Sequence, residues 1–288
     1  MIRRLCIIGV GLIGGSLARA LRQKGYCREV VGSSRRREHL QEAVDLGVID
    51  RFETDPARAV AGADMILMAV PLGAMEPVLR QIRGQLAVDA VVTDVGSAKG
   101  SVVAAARAAF GEMPGRFVPG HPIAGTEKSG VAASFASLFE GRQVILTPLP
   151  ETDPDATERV RRMWLTAGAA VQMMDVAHHD RVLAATSHLP HLLAYAVVDS
   201  LARLGDHDEI FRFAAGGFRD FSRIAGSDPV MWRDICLANR DAILDIVDGF
   251  NEDIARLVAA IRAGDGDTLL DVFTRAKTAR DRYADGTH

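Results

Sequence analysis

The chain has 288 residues, enough for two domains of ordinary size. Hydrophobic residues make up 48% and charged residues 25%, the profile of a soluble globular protein, and no apolar run approaches the ~20 residues needed to span a bilayer. With 34 basic and 37 acidic residues the net charge is −3, which gives no global pull toward nucleic acid or an anionic membrane.

The first element in the chain is also the most informative. Leu5-Cys6-Ile7-Ile8 predicts a short buried strand, and Gly9-Val10-Gly11-Leu12-Ile13-Gly14 follows it directly. A helix then runs from near Ile13 through Leu17, Ala18, Ala20 and Leu21. In such a GxGxxG turn, Gly9 permits the tight bend and Gly11 admits a pyrophosphate to the backbone. Gly14 lets the helix approach the strand, and Leu12 and Ile13 present free amides at the helix N-terminus. Arg3-Arg4, the apolar stretch and Ala18-Arg19-Ala20 also mimic a secretory signal, but the intact strand-turn-helix unit argues against that reading.

Val30-Val31 is the next strand, followed by a charged helix over Arg36–Leu46. Met65–Val70 and Ala90–Val95 are buried strands, with helices over Met75–Gly84 and Ser101–Ala109. Val70-Pro71, where the third strand ends, is assigned to the cofactor cleft. Phe117-Val118 and Val144–Leu146 are shorter strands, a turn at Glu151–Asp155 leads to a helix over Ala156–Ala167, and Ala170–Met174 closes the set. Continuous apolar runs between amphipathic helices indicate an α/β domain, a Rossmann-type parallel sheet covered on both faces. From Asp175 onward only helical spacing recurs, over Val182–Leu204, Val230–Leu257 and Leu269–Arg280. Asp228-Pro229 has the pattern of an N-cap with proline at the first helical position, and Pro190 opens or kinks its helix. The division expected is 1–174 for dinucleotide binding and 175–288 for a helical substrate and dimerisation domain. No appended regulatory domain is expected after these helices. Cys6, Cys27 and Cys236 are too few and too scattered for a disulfide framework or a zinc site, and favour the cytoplasm.

Chemistry concentrates in a few segments. An acidic residue commonly ends the second strand to hold the ribose 2′-OH of NAD. Here the strand runs out in Ser33-Ser34-Arg35-Arg36, whose hydroxyls and charges suit a 2′-phosphate. NADP is therefore favoured, with NAD possible if the arginines merely open a solvated helix. Ser97, in Asp94-Val95-Gly96-Ser97-Ala98-Lys99, follows a strand at the end where α/β sheets bind ligands, although the segment alone also reads as a plain turn. His121, between Gly120 and Pro122 in a loop after a strand, has an imidazole suited to accept a hydroxyl proton. His188 and His191 lie three apart, but no cysteine or carboxylate completes a metal-ligand spacing, so no metal is assigned. His178-His179-Asp180 reads as a solvated helix start. Asp220 and Arg223 could share a helical face, either as a surface ion pair or with Arg223 free to clamp a carboxylate.

Taken in order, GVGLIGGS (9–16), DVGSAK (94–99), HPIAGTEKSG (121–130), SHLPH (187–191) and GFRDFSRIAGSDPVMW (217–232) resemble the prephenate/arogenate dehydrogenase family of tyrosine biosynthesis. The resemblance covers nearly the whole chain. It implies an NAD(P)-dependent oxidative decarboxylation: hydride leaves the carbinol carbon of a cyclohexadienol, the ring carboxylate departs as CO2, and the ring becomes aromatic. By the same resemblance His121 is the proton acceptor, Ser97 bonds near the same hydroxyl and Arg223 binds a substrate carboxylate. Thr126, Glu127, Ser187 and His191 line the pocket, Asp220 and Trp232 shape its entrance or a wall contributed by the partner, and the helical domain forms a homodimer. The chain departs from the pattern in lacking an acid after the second strand. The absence of a regulatory extension would place any tyrosine feedback at the active site. Two rivals are weighed. A β-hydroxyacid dehydrogenase would need a catalytic lysine in the helical half, where Lys277 alone is available, and a non-catalytic NADP sensor would need none of the ordered His, Ser and Arg.

Overall fold

The computed structural model describes residues 1–126, 128–205 and 207–284. Its contacts divide the chain into two compact units, Met1–Arg240 and Asp241–His288.

In the first unit, β1 (Ile2–Ile8), α1 (Leu12–Gln23), β2 (Cys27–Ser33), α2 (Arg37–Asp45), β3 (Arg51–Glu53) and α3 (Pro56–Ala59) open the chain. β4 (Met65–Met68), α4 (Met75–Ile82), β5 (Val91–Asp94), α5 (Lys99–Phe110) and β6 (Phe117–Val118) complete a six-stranded sheet. Its order is β3-β2-β1-β4-β5-β6 and every pairing is parallel. That is the doubly wound dinucleotide-binding order, with the topological switch between β1 and β4. Alternation along β1 explains why its apolar run is continuous. Leu5 and Ile7 join the core that holds Leu17, Leu21, Val160 and Trp164, while Cys6 and Ile8 join the opposite core with Leu79, Val102 and Ala106. Cys6 is a core residue, its thiol pushed up to about 12 by burial. Ala18-Arg19-Ala20 lies inside α1, which packs on this sheet.

β7 (Gly120–Pro122), β8 (Gln143–Leu146) and β9 (Ala170–Met173) form a separate small sheet, with α6 (Pro154–Thr166) between the last two strands. β8 runs antiparallel to β7 and parallel to β9. The expected last strands of the parallel sheet therefore belong here. His121 is not in a loop but in the middle of β7, opposite Ile145. β3 escapes the sequence because Arg51-Phe52-Glu53 is a short, polar edge strand with no apolar run.

The helical part begins with α7 (Val176–Leu183), a π-helical turn over Ala184–His188, and α8 (Leu189–Ala202). The widened turn precedes Pro190, which lacks an N–H and would crowd the carbonyl four residues back in a regular helix. Pro190 thus perturbs the turn before it without ending the helical run. α9 (His207–Arg212), α10 (Gly216–Ser222) and α11 (Pro229–Ala238) complete the unit. Asp228 caps α11 by accepting from Val230 N and Met231 N, as the Asp-Pro pair predicts. The helix expected over Val230–Leu257 is broken at Asn239, whose backbone (φ −112°, ψ 32°) leaves the helical region.

The second unit is built on two consecutive helices, α12 (Arg240–Ala263) and α13 (Gly266–Ala284), joined through Gly264 at φ +65°. Asp265 caps α13 through Thr268 N at 3.0 Å. Ile254, Val258 and Ile261 recur at helical spacing on α12 and remain exposed, as do Leu270 and Phe273 on α13.

Candidate active site

The glycine turn has three distinct geometries. Gly9 sits at φ +100°, and a Cβ there would stand 2.1 Å from the Ala69 carbonyl oxygen, so no side chain fits. A Cβ on Gly14 would lie 2.6 Å from Gly9 O and 2.7 Å from Ile7 Cγ2, which is the close helix-strand approach. A Cβ on Gly11 would meet open space. Gly11 also begins α1 without a side-chain cap, so the amides of Leu12 and Ile13 open the helix toward that space. This is a cradle that fits a diphosphate. Val70 and Pro71 follow β4 beside it, Val70 half-buried and Pro71 exposed. At the tip of β2, Ser33 is buried and its carbonyl accepts from Gly9 N at 2.8 Å. Ser34 is half-buried, while Arg35 and Arg36 are exposed and their guanidinium groups have no hydrogen-bond or ion-pair partner among the described residues. Arg37 is occupied over the Phe52 ring.

Beyond the ends of β4 and β5 the structure builds a second, more buried constellation. Asp94 and Lys99 are completely buried and paired. Asp94 also accepts from Gly96 N at 2.7 Å and Gly120 N at 3.0 Å, and Lys99 Nζ donates to Gly120 O at 2.6 Å. Burial pulls the Lys99 ammonium below the usual lysine range, and Asp94 opposes that pull. The pair thus grips both backbone groups of Gly120, the residue before His121. Ser97 lies between the two charges in sequence, half-buried, with no hydroxyl partner among the described residues.

His121 is buried, and burial first, then the charge of Lys99 and the imidazoles of His179 and His188, hold it well below the ordinary histidine pKa. It is therefore neutral near pH 7. Its Nδ1 lies 2.9 Å from Nε2 of His179, and His179 Nδ1 lies 2.8 Å from Asp180 Oδ1. This corrects the reading of His178-His179-Asp180 as a solvated helix start. His178 is exposed, but α7 rolls His179 to zero exposure against β7. A dipeptide of polar residues at a helix start carries no local sign of which one faces inward.

The contacts continue through Asn239, whose Nδ2 donates to Asp180 O at 2.8 Å and lies 3.0 Å from His188 Nδ1. Asn239 has no motif that would have singled it out. His188 is buried, pulled to about 4 mainly by burial, and meets the Trp232 ring edge-on at 6.1 Å. His191 stacks on Trp232 at 3.7 Å between ring centroids, and its Nδ1 donates to Ser187 O at 2.8 Å. Ser187 itself is half-buried. Burial lowers the His191 pKa, the bond to Ser187 O opposes that, and the Arg223 guanidinium lowers it further. Arg223 is exposed, and among the described residues no ion pair joins it to Asp220, so the surface-pair reading is not what the fold makes. Asp220 and Thr126 are exposed, and Thr126 accepts from Lys128 N at 3.2 Å in its own loop. Glu127 lies outside the described residues. No group of three or more His, Cys, Asp or Glu positioned to hold a metal occurs among the described residues.

Two family models match the chain: the prephenate dehydrogenase nucleotide-binding domain over residues 17–173 and the prephenate dehydrogenase dimerization domain over residues 175–275. A cyclohexadienyl dehydrogenase of Zymomonas mobilis is 39% identical over 285 residues, covering 96% of this chain and 95% of that protein. A prephenate dehydrogenase of Bacillus subtilis is 36% identical, covering 96% of this chain and 75% of that one. Among solved structures, prephenate dehydrogenase from A. aeolicus in complex with hydroxyphenyl propionate and NAD+ superposes with a TM-score of 0.91 at 37% identity, covering 98% of this chain and 99% of its own. Synechocystis arogenate dehydrogenase gives 0.81 at 29% identity, covering 97% of this chain and 99% of that one.

Proposed function

This chain belongs to the prephenate dehydrogenase family and is a nicotinamide-dependent oxidoreductase that oxidatively decarboxylates prephenate or arogenate, and we propose that His121, Ser97 and Arg223 carry that reaction with NADP as the favoured cofactor. The observation that carries the assignment of roles is His121 itself: a buried imidazole kept neutral, in a sheet strand whose backbone is gripped by the Asp94–Lys99 pair. Such a group is ready to accept a proton and is held where it can do so. Ser97, free to donate or accept, bonds the same substrate hydroxyl. Arg223, unpaired near His191, takes a substrate carboxylate in its planar fork. Thr126, Glu127, Ser187, His191, Asp220 and Trp232 complete the pocket wall. The bound dinucleotide supplies the hydride acceptor, and the Gly9–Gly14 turn with Val70 and Pro71 would hold it. The free guanidinium groups of Arg35 and Arg36 beside Ser33 and Ser34 support selection of a 2′-phosphate.

A functional boundary near residue 174 is supported by the two family matches, one ending at residue 173 and the other starting at residue 175. The helical part forms a homodimer, a reading supported by the exposed apolar stripe of α12. Among the described residues no helix is long and apolar enough to cross a membrane. The free thiols of Cys6, Cys27 and Cys236 support a cytoplasmic location. A β-hydroxyacid dehydrogenase is disfavoured because Lys277, its one available helical-domain lysine, is exposed and paired with Asp281.

The test is absorbance at 340 nm with prephenate or arogenate, each with NAD+ or NADP+. Turnover with NADP+ supports the whole reading, turnover with NAD+ alone removes the role given to Ser33–Arg36, and no turnover from folded, dinucleotide-binding protein overturns the function.

A further inference from the structure

Asp180 is held by three donors. Its Oδ1 accepts from Lys99 N at 2.8 Å and faces His179 Nδ1 at 2.8 Å, and its Oδ2 accepts from Gly100 N at 2.8 Å. Lys99 N and Gly100 N are the first amides of α5, whose own N-cap residue Ala98 offers no side-chain cap. An aspartate from α7 thus caps α5 across the fold, where the helix dipole favours an anion. Burial works to raise the Asp180 pKa, but the bonds from His179, Lys99 N and Gly100 N carry it below the usual aspartate range. Asp180 is a carboxylate and can only accept.

With both imidazoles neutral, that orders the protons along the row. His179 Nδ1 must donate to Asp180. A neutral His179 then has its lone pair at Nε2, so the 2.9 Å contact requires His121 Nδ1 to be the donor. The lone pair left on His121 is at Nε2. The ring centroids lie 5.2 Å apart with the planes at 65°, a separation that suits an in-plane hydrogen bond from one ring to the other. The other groups facing His121 are Lys99 and His188, with Asp94 behind Lys99, and none of them bonds its Nδ1.

We infer that His179 and Asp180 are positioning residues that hold His121 as its Nδ1–H tautomer, making Nε2 the base and stabilising the imidazolium that forms. The inference rests on the role of His121 proposed above. In the reaction the substrate O–H bond breaks as Nε2–H forms, and its electron pair becomes the C=O as the carbinol C–H pair leaves as hydride to the nicotinamide. The C–CO2 bond then breaks, CO2 departs, its electron pair aromatises the ring to a phenolate, and that oxygen takes the proton back from Nε2. The arrangement has the logic of a histidine oriented by a buried carboxylate, with one more imidazole in between.

The experiment has two arms. Nitrogen-15 NMR of histidine-labelled protein, with His121 assigned by its loss in His121→Asn, reads the tautomer without any substrate. The expected wild-type result is a proton on Nδ1; a neutral His121 protonated at Nε2 overturns the inference. Kinetics of His179→Phe, which keeps the ring and removes both nitrogens, should show kcat lowered about 10²–10⁴-fold with KM and dinucleotide affinity within about threefold. His179→Gln, whose Oε1 can accept from His121 Nδ1–H, should recover at least about tenfold of that loss. A kcat of His179→Phe within about threefold of wild type overturns the inference. If the wild type turns over neither substrate, the proposed function falls while the tautomer arm still decides the geometry. If His179→Phe fails to fold, the wild-type tautomer and His179→Gln decide.

Discussion

Replacing Lys99 by methionine probes the device that holds the candidate base. Methionine keeps most of the side-chain volume and removes the ammonium. Lys99 and Asp94 both have zero side-chain exposure, so the variant strands the Asp94 carboxylate in the interior with amide donors and no counter-charge. It also leaves the Gly120 carbonyl without the Nζ–H it accepts at 2.6 Å. Breaking one side of a buried pair costs about 3–5 kcal/mol. For a cooperative unit of the size of Met1–Arg240, each kcal/mol moves Tm by about 2–4 °C, so Tm should drop by about 6–20 °C. Calorimetry on Lys99→Met, Asp94→Asn and the double variant gives the cycle. The double variant should be more stable than the sum of the single losses predicts, by at least about 2 kcal/mol, because it no longer buries an uncompensated charge. Since the pair grips Gly120, kcat should fall in Lys99→Met at temperatures where it is folded. A loss below about 1 kcal/mol, or strict additivity, would refute the claim that this pair is a coupled structural support.

His121→Asn should lower kcat by about 10²–10⁴-fold with dinucleotide affinity unchanged by titration, and near-normal kcat would remove it as the base. Arg223→Ala should raise KM by about 10–150-fold through loss of a charge-assisted contact, and an unchanged KM would detach Arg223 from the substrate. Arg35→Ala with Arg36→Ala should weaken NADP+ binding by about tenfold or more while leaving NAD+ binding nearly unchanged, measured by fluorescence titration; equal losses for both would sink the 2′-phosphate reading. His188 has a folded pKa of about 4 against an ordinary value of 6.5, so between those pH values the unfolded chain binds a proton that the folded one excludes. Its contribution of about 3 kcal/mol is fully present above pH 6.5 and is lost as pH falls toward 4, with His121 acting in the same direction. Thermal melts from pH 8 to 4.5 should show the decline, and a flat Tm over that range would contradict the burial of these rings as neutral groups.

What the sequence by itself determined is whatever depends on neighbours along the chain. The turn is legible because Gly9 and Gly14, where a Cβ would collide, and Gly11, which faces open space, fall within six residues of one strand-turn-helix unit. The continuous apolar runs of β1, β4 and β5 announce a sheet buried on both faces, and Asp228-Pro229 announces the start of α11. His121 and Trp232 stand out by their motifs. What only the tertiary structure decided is which polar groups face one another across long separations. The imidazole of His179 comes from 58 residues beyond His121, Asp180 caps a helix 80 residues earlier in the chain, and Asn239 joins Asp180 to His188. Nothing in the period of α7 tells His179 from the exposed His178. A polar side chain is buried only when the fold supplies its hydrogen bonds, and those partners lie on strands and helices that the local sequence cannot see. The same reason moved His121 from an expected loop into β7, since a three-residue strand exists only because Ile145 and its neighbours pair with it.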